Sequence, residues 1–394
     1  MEDPKERLVT SLPTEELERR WQAARAWMEA EGVDALLMRN DEEYFGGYVK
    51  WFTDIPARHG YPFTVVFPLT DGMTTITSSP PAEPGPKAWA LRGVKRRLGA
   101  PFYPSLSYTA TYDAELAADA LKEMHATTVG IVGRCFFSVP FYEYLTAHLP
   151  GVRFVDATGA IDRIKVIKSP VEVSFIRQTA ALQDKAFAYL LTCVKPGVRE
   201  LDLFAEVHYT CTRLGSERLQ VLTASYPPGE PAGFNQRHFM NRILKAGDHV
   251  VVLIEGNGPG GYYTEIVRPI CLGEPSPEIR AAFAVALEAE ALTLSLLKPG
   301  ADPKAILETH NAFLEARGYA PEGRLYAHGE GYDLVEPPAM LGDETMRIQA
   351  GMNMAVHPVA KNKSVYTTLC GNYLVGEQGV GECLHKTPKV LFVV

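Results

Sequence analysis

Val250-Val251-Val252-Leu253-Ile254-Glu255 runs into Gly256-Asn257-Gly258-Pro259-Gly260-Gly261 and returns as Tyr262-Tyr263-Thr264-Glu265-Ile266-Val267-Arg268-Pro269-Ile270. Five apolar residues without a polar break describe a strand buried on both faces. The glycine, asparagine and proline cluster describes a turn. The residues after it describe a partner strand. A strand and not a helix follows the glycines, so they are not a dinucleotide-binding fingerprint. This hairpin predicts an antiparallel sheet in the second half of the chain. It also places two glutamates, Glu255 and Glu265, at the same end of that sheet. Paired carboxylates suit metal binding or acid–base work, because each raises the proton affinity of the other.

Working outward, helices flank the hairpin. Ser169-Pro170-Val171-Glu172 predicts a helix start with a capping serine, a first-turn proline and a reciprocal glutamate. That helix extends to about Cys193, and a second is expected over Leu201 to Leu214. Others are expected over Pro277 to Leu297 and Pro303 to Arg317, the latter capped by Asp302. Strands are read at Asn353 to His357, Val365 to Cys370, Tyr373 to Glu377 and Lys389 to Val393. The result is an α+β domain with helices on one side of a mostly antiparallel sheet. Ahead of it, a helix from Pro13 to Ala30 stops at Gly32. Strands at Val33 to Met38, Phe63 to Phe67, Met73 to Thr77 and Val129 to Val132 then alternate with helices at Ala114 to Met124 and Val139 to Ala147. That order predicts an α/β N-terminal domain. At 394 residues the chain is too long for one ordinary core. The domains are placed at 1–163 and 164–394.

Composition excludes some classes of function. The formal net charge of -8 argues against a nucleic-acid binder, which needs a basic face. No stretch approaches the ~20 apolar residues of a membrane span, and the charged start, Met1 to Leu8, is no signal peptide. The six cysteines are scattered without a CxxC pair, as expected of reduced thiols in a cytoplasmic protein. Cys370 is read as one of these buried thiols.

A second stretch carries chemistry: His328-Gly329-Glu330-Gly331-Tyr332-Asp333-Leu334-Val335-Glu336-Pro337-Pro338. Its glycines allow close backbone approach, and the double proline stops regular pairing. Together with Glu265 and His357, His328 makes a two-histidine, one-carboxylate set that could hold zinc or iron. Either histidine alone is more often a satisfied core residue. His238, within Gly233-Phe234-Asn235-Gln236-Arg237-His238-Phe239, is a loop histidine suited to proton transfer or to plain exposure.

These segments resemble the creatinase/aminopeptidase P/methionine aminopeptidase superfamily, the pita-bread fold. The match extends over nearly the whole chain. Arg163-Ile164-Lys165-Val166-Ile167-Lys168-Ser169-Pro170 is similar to the segment entering the second domain. Gly247-Asp248, Gly261 to Arg268, His328 to Gly331 and Gly351 to Pro358 fall in family order. The resemblance implies an α+β pita-bread domain and, in the family's peptidases, two metal ions held by two aspartates, a histidine and two glutamates. Here Glu265 stands in place of the second aspartate. Glu255 is the nearest candidate for the first, one residue short in spacing. A one-residue slip turns a strand side chain to the other face unless the turn compensates. His328 matches the metal-binding histidine, Val335 replaces the second histidine, and His357 replaces the first late glutamate. Cys370 or Asn372 falls where the last glutamate is expected.

The departures lead to an expectation of a creatinase-like hydrolase that cleaves a C–N bond of a small polar molecule without a metal. His238 would shuttle the proton. Glu255 and Glu265 would hold a cationic group or orient water, and His328 and His357 would bind the developing oxyanion. No cofactor is expected, with room left for a single divalent metal on Glu265, His328 and His357. The alternatives are a mononuclear metal-dependent hydrolase of the Xaa-Pro dipeptidase kind, or a lyase, and a non-catalytic binding module. Substrate contacts are assigned to Tyr262, Asp333 and Glu336, and to Arg58 and His59, which the resemblance brings from a partner subunit of a homodimer. Neither nucleic acid nor membrane is an expected partner.

Overall fold

The computed structural model describes residues 11–81, 88–231, 233–234 and 240–394. The chain divides into two compact units, with the division at the end of the helix Thr158–Lys165.

The first unit is α/β. Its sheet has six strands, ordered from edge to edge as Val94–Gly99, Met73–Thr77, Phe63–Pro68, Ala35–Asn40, Thr128–Val132 and Arg153–Asp156. Ala35–Asn40 lies at the centre, antiparallel to Phe63–Pro68, with Leu37 opposite Val66, and parallel to Thr128–Val132. All six of its residues are buried: the apolar run Ala35 to Met38, as expected of a central strand, and also Arg39 and Asn40. Tyr112–Glu123 and Val139–His148 pack a mostly alanine and leucine face on the sheet through Ala117, Leu121, Phe141 and Leu145. The strands Val94–Gly99 and Arg153–Asp156 escape the apolar pattern because they are half exposed at the two edges.

The second unit is α+β and contains two five-stranded sheets where the sequence suggested one. The first sheet is built around His249–Asn257, whose nine residues are all buried. Leu219–Tyr226 flanks it on one side, Ile270–Cys271 on the other, and Tyr263–Ile266 pairs with its far end. Leu219–Tyr226 goes unnoticed in the sequence because Gln220, Thr223 and Ser225 interrupt its apolar residues. The expected strand Lys389 to Val393 shrinks to Phe392–Val393, parallel to Ile270–Cys271. The second sheet is Glu336–Ala339, Ala327–Gly329, Asn353–Val356, Gly371–Gly376 and Gly379–Cys383. The segment read as Val365 to Cys370 contributes only Tyr366–Thr368, paired with Val359–Lys361 in a separate ribbon.

The helices Pro170–Cys193, Glu200–Arg213, Pro277–Leu296 and Pro303–Glu315 cover these sheets. The cap of the first is as expected: Ser169 Oγ accepts from the Glu172 amide at 3.2 Å, and Glu172 Oε2 accepts from the Ser169 amide at 2.7 Å. Leu182, Phe187, Leu190 and Val207 from the first two helices meet Val250, Val252 and Ile254 in one core. In the hairpin turn Gly260 has φ +83°, and a Cβ there would meet the Phe175 ring at 2.8 Å. The turn therefore needs glycine for both conformation and space. No helix among the described residues is long and apolar enough to cross a membrane.

Candidate active site and metal centre

Three elements of the second unit bring the site together. Glu265 lies on Tyr263–Ile266, His328 on Ala327–Gly329, and His357 directly follows Asn353–Val356. The last two strands are antiparallel neighbours, with His328 opposite Ala355, and the His357 amide donates to the Tyr326 carbonyl at 2.8 Å. The first sheet meets the second where the Tyr263 amide donates to the Gly331 carbonyl at 2.7 Å and the Glu265 amide donates to Asn372 Oδ1 at 2.8 Å.

The result is one convergent cluster. Glu265 Oε1 is 3.4 Å from His357 Nε2 and 3.7 Å from His328 Nε2, and the two rings are 5.4 Å apart. His328 Nδ1 lies 2.9 Å from the Gly329 carbonyl. A carbonyl only accepts, so Nδ1 carries the hydrogen and Nε2 presents its lone pair to the cluster. Burial pushes the His357 ring down to about 4, against the opposing pull of Glu265, so this ring is neutral at ordinary pH. Glu265 Oε1 is buried with no hydrogen-bond partner.

Two further carboxyls adjoin this cluster. Glu255 stands directly opposite Glu265 in the register, so the turn does compensate the short spacing and both side chains share a face. Its Oε2 accepts from Gln220 Nε2 at 3.1 Å. Glu330, fully buried, accepts from Asn372 Nδ2 at 2.5 Å through Oε2, and its Oε1 has no partner. Burial, with Glu265 close by, raises both Glu255 and Glu330 well above the usual carboxylic range. Asn372 thus bridges the Glu265 backbone and the Glu330 side chain. Its own amide reaches His385 Nδ1 at 3.4 Å, while His385 Nε2 reaches Gln183 Oε1 at 2.9 Å. Neither Glu330 nor this supporting chain has a role in the sequence reading. Glu330 did leave a sign there, a carboxylate between two glycines; His385 left none.

The other expected site residues lie elsewhere. Tyr262 is buried, stacked on Tyr332 at 4.3 Å, and its hydroxyl donates to Glu172 Oε1 at 3.0 Å. Glu336 forms a buried ion pair with Lys168 Nζ at 2.5 Å and accepts from the Tyr332 amide at 2.9 Å. Tyr262 and Glu336 are thus both engaged with partners inside the protein. Asp333 is buried, and its carbonyl accepts from the Gly331 amide at 3.3 Å. Arg58 and His59 belong to the first unit. There Arg58 stacks 5.1 Å over the Tyr61 ring, and the exposed His59 lies 3.4 Å from Glu42. His238 lies outside the described residues. Cys370 is buried, and burial raises its thiol well above the ordinary value.

The family model of metallopeptidase family M24 matches residues 174–382, more than half of the 394-residue chain, and that of the creatinase/prolidase N-terminal domain matches residues 20–167. The chain belongs to metallopeptidase family M24. The M24 chain is 26% identical over 220 residues to an uncharacterised peptidase of Bacillus subtilis, a stretch covering 55% of this chain and 61% of that protein. It is 25% identical over 210 residues to a probable dipeptidase of Mycobacterium tuberculosis, covering 53% of this chain and 55% of the relative. The match thus spans little more than half the length of either. The crystal structure of an X-Pro aminopeptidase from Thermotoga maritima superposes with a TM-score of 0.78 over 95% of this chain and 99% of the other, at 18% identity. That likeness establishes the two-domain pita-bread fold.

Membership of a metallopeptidase family corrects the expectation that the site works without a cofactor. The donor set agrees with the correction. Glu265, His328 and His357 are a group whose ligand atoms all lie within 4.8 Å of one another. Two imidazole nitrogens and a carboxylate oxygen without a donor suit a borderline divalent ion. Without an ion, the buried Glu265 Oε1 has no hydrogen-bond donor.

Proposed function

We propose that this M24 member is a metal-dependent hydrolase that cleaves an amide C–N bond in a small peptide, with one divalent ion on Glu265, His328 and His357. The observation that carries this reading is the convergence of Glu265 Oε1, orphaned in the interior, with the two Nε2 atoms. Bound there, a divalent ion supplies Lewis acidity toward a carbonyl and lowers the pKa of water.

The residues of the chain divide the remaining work. Glu265 contributes the anionic ligand, and Asn372 fixes its backbone. Gly329 holds the His328 ring in the tautomer that leaves Nε2 free. The His357 side chain is 15% exposed against 4% for the other two, so substrate approaches the cluster from that edge. Glu255, opposite Glu265 and steadied by Gln220, is placed to pass a proton to the leaving nitrogen. His238 is the other candidate for that step. The names of the relatives, peptidase and probable dipeptidase, point to a peptide over a creatine-like molecule. A homodimer is part of the same reading, and so is a cytoplasmic location, which the six free cysteines suit. Light scattering tests the former.

The deciding experiment measures metal by mass spectrometry of the purified protein and hydrolysis of a dipeptide panel that includes Xaa-Pro members. One equivalent of metal, with turnover lost on chelation and regained on adding zinc, manganese or iron, is expected. Full turnover in metal-free protein, or in Glu265→Ala, would overturn the reading.

A further inference from the structure

Glu255, Glu265 and Glu330 form a contiguous acidic wall. Glu255 faces Glu265 across the strands, and Asn372 ties Glu330 to the Glu265 backbone. All three are at most 6% exposed. Among the described residues no lysine or arginine side chain pairs with any of them; their partners are the neutral amides of Gln220 and Asn372 and the two histidines. A divalent ion on Glu265 and the histidines leaves Glu330 without a cationic partner. Glu330 is fully buried, yet only one of its oxygens is engaged: Asn372 holds Oε2, and Oε1 has no donor at all.

We infer that Glu330 Oε1 accepts a hydrogen bond from the protonated primary amine of the substrate, making Glu330 a specificity-determining residue for substrates with a free amino group beside the amide bond. A second divalent ion fits this position less well. An ion needs several ligand atoms converging near 2 Å, and Glu330 is outside the group whose ligand atoms converge. An ammonium group is held at about 2.8 Å by separate acceptors, each taking one N–H, and one free carboxylate oxygen beside two more carboxyls provides for that. The glycines on either side fit the role. At Gly331 an added Cβ would come within 2.6 Å of the Glu336 carboxylate and the Lys168 ammonium, so the loop backbone carrying Glu330 is packed tightly in place. The substrate class rests on the hydrolase reading above; the amine site itself does not.

The test is calorimetric binding, to the metal-loaded protein, of glycinamide, a primary amine next to an amide, against N-acetylglycinamide. Saturable glycinamide binding is expected, at least about tenfold weaker for the acetylated probe and for Glu330→Gln, since each removes one charged partner of the hydrogen bond. Metal content stays at one equivalent in the variant. Equal binding of the two probes by the unaltered protein overturns the inference, whether or not the variant folds. So does absence of saturation up to about 50 mM, or a second equivalent of metal that Glu330→Gln abolishes. Amine binding that depends on Glu330 in a protein that hydrolyses no dipeptide would instead sink the reaction and keep the site.

Discussion

Asn372 shows how much rests on one neutral residue. It is, with Cys370, one of the two residues that fall where the family resemblance leads one to expect a glutamate, and its side chain serves two glutamates at once: Oδ1 accepts from the Glu265 backbone amide and Nδ2 donates to the Glu330 carboxyl. Glu330, directly after the strand Ala327–Gly329, is the carboxyl that Asn372 holds. Asn372→Leu should remove both contacts without filling the space with charge. Metal affinity should fall on the order of 10- to 100-fold, as when other supports of ligand side chains are lost, while the ligands themselves remain. Titration with a metal-competing dye reads this directly; unchanged affinity would mean that Asn372 does not position Glu265. Glu265, His328 and His357 were readable as a set from residue type and order. Glu330 was not assigned, because a carboxylate between two glycines reads equally well as a surface residue until burial is known.

At the scale of elements, local chemistry and tertiary context separate. The start of Pro170–Cys193 is a local device that the sequence announces, and the structure contains both of its hydrogen bonds. Ser169→Ala should cost about 1 kcal/mol, measured as a shift in urea midpoint at constant slope. The helix Pro303–Glu315 carries a feature that no local pattern announces. His310 is fully buried on it, stacked on Tyr326 at 3.9 Å, with Nδ1 3.1 Å from Thr293 Oγ1. Burial pushes this ring down to about 4, with Glu322 pulling the other way. The folded state thus prefers the neutral ring, and the unfolded chain takes up the proton first. The contribution is constant above about pH 6.5, is lost as the pH falls from there toward 4, and levels off below, for a total of about 3 kcal/mol. In His310→Gln the stability lost over that window should shrink accordingly. Chemical denaturation at a series of pH values checks this, and an unchanged acid slope would exclude His310 as the source.

For the whole molecule, the second unit depends on contacts between segments far apart in sequence. Lys168, at the entrance to the unit, and Glu336, in the site loop, are paired at 2.5 Å with almost no exposure. Breaking such a pair from one side leaves a buried charge, so Lys168→Met should cost about 3–5 kcal/mol. Pairing it with Glu336→Leu should recover part of that loss, since the lone charge is then gone. Equal destabilisation by the single and double variants would show that charge burial is not the cause. The candidate metal centre also joins strands of two different sheets. Chelation should therefore lower the thermal midpoint, with a stability difference of about 4 kcal/mol when free metal is a thousand times its Kd. A midpoint insensitive to chelator would mean that no ion binds the native state preferentially.

The sequence by itself determined the parts whose physics is local or periodic. The fully buried strand through Val250 to Ile254, the glycine turn that reverses it, the Ser169 cap and the α/β then α+β order all follow from burial pattern, backbone freedom and capping chemistry. Tertiary structure decided what depends on register and on separate sheets meeting. The turn around Gly260 set Glu255 opposite Glu265 despite a spacing that threatened the opposite face. Two sheets formed where one was expected, because short strands between 327 and 383 paired among themselves. Convergence of Glu265 with His328 and His357, the orphaned oxygen between them and the recruitment of Glu330 through Asn372 exist only in three dimensions. A ligand set is a matter of distances between side chains 29 to 92 residues apart, which spacing along a chain does not encode.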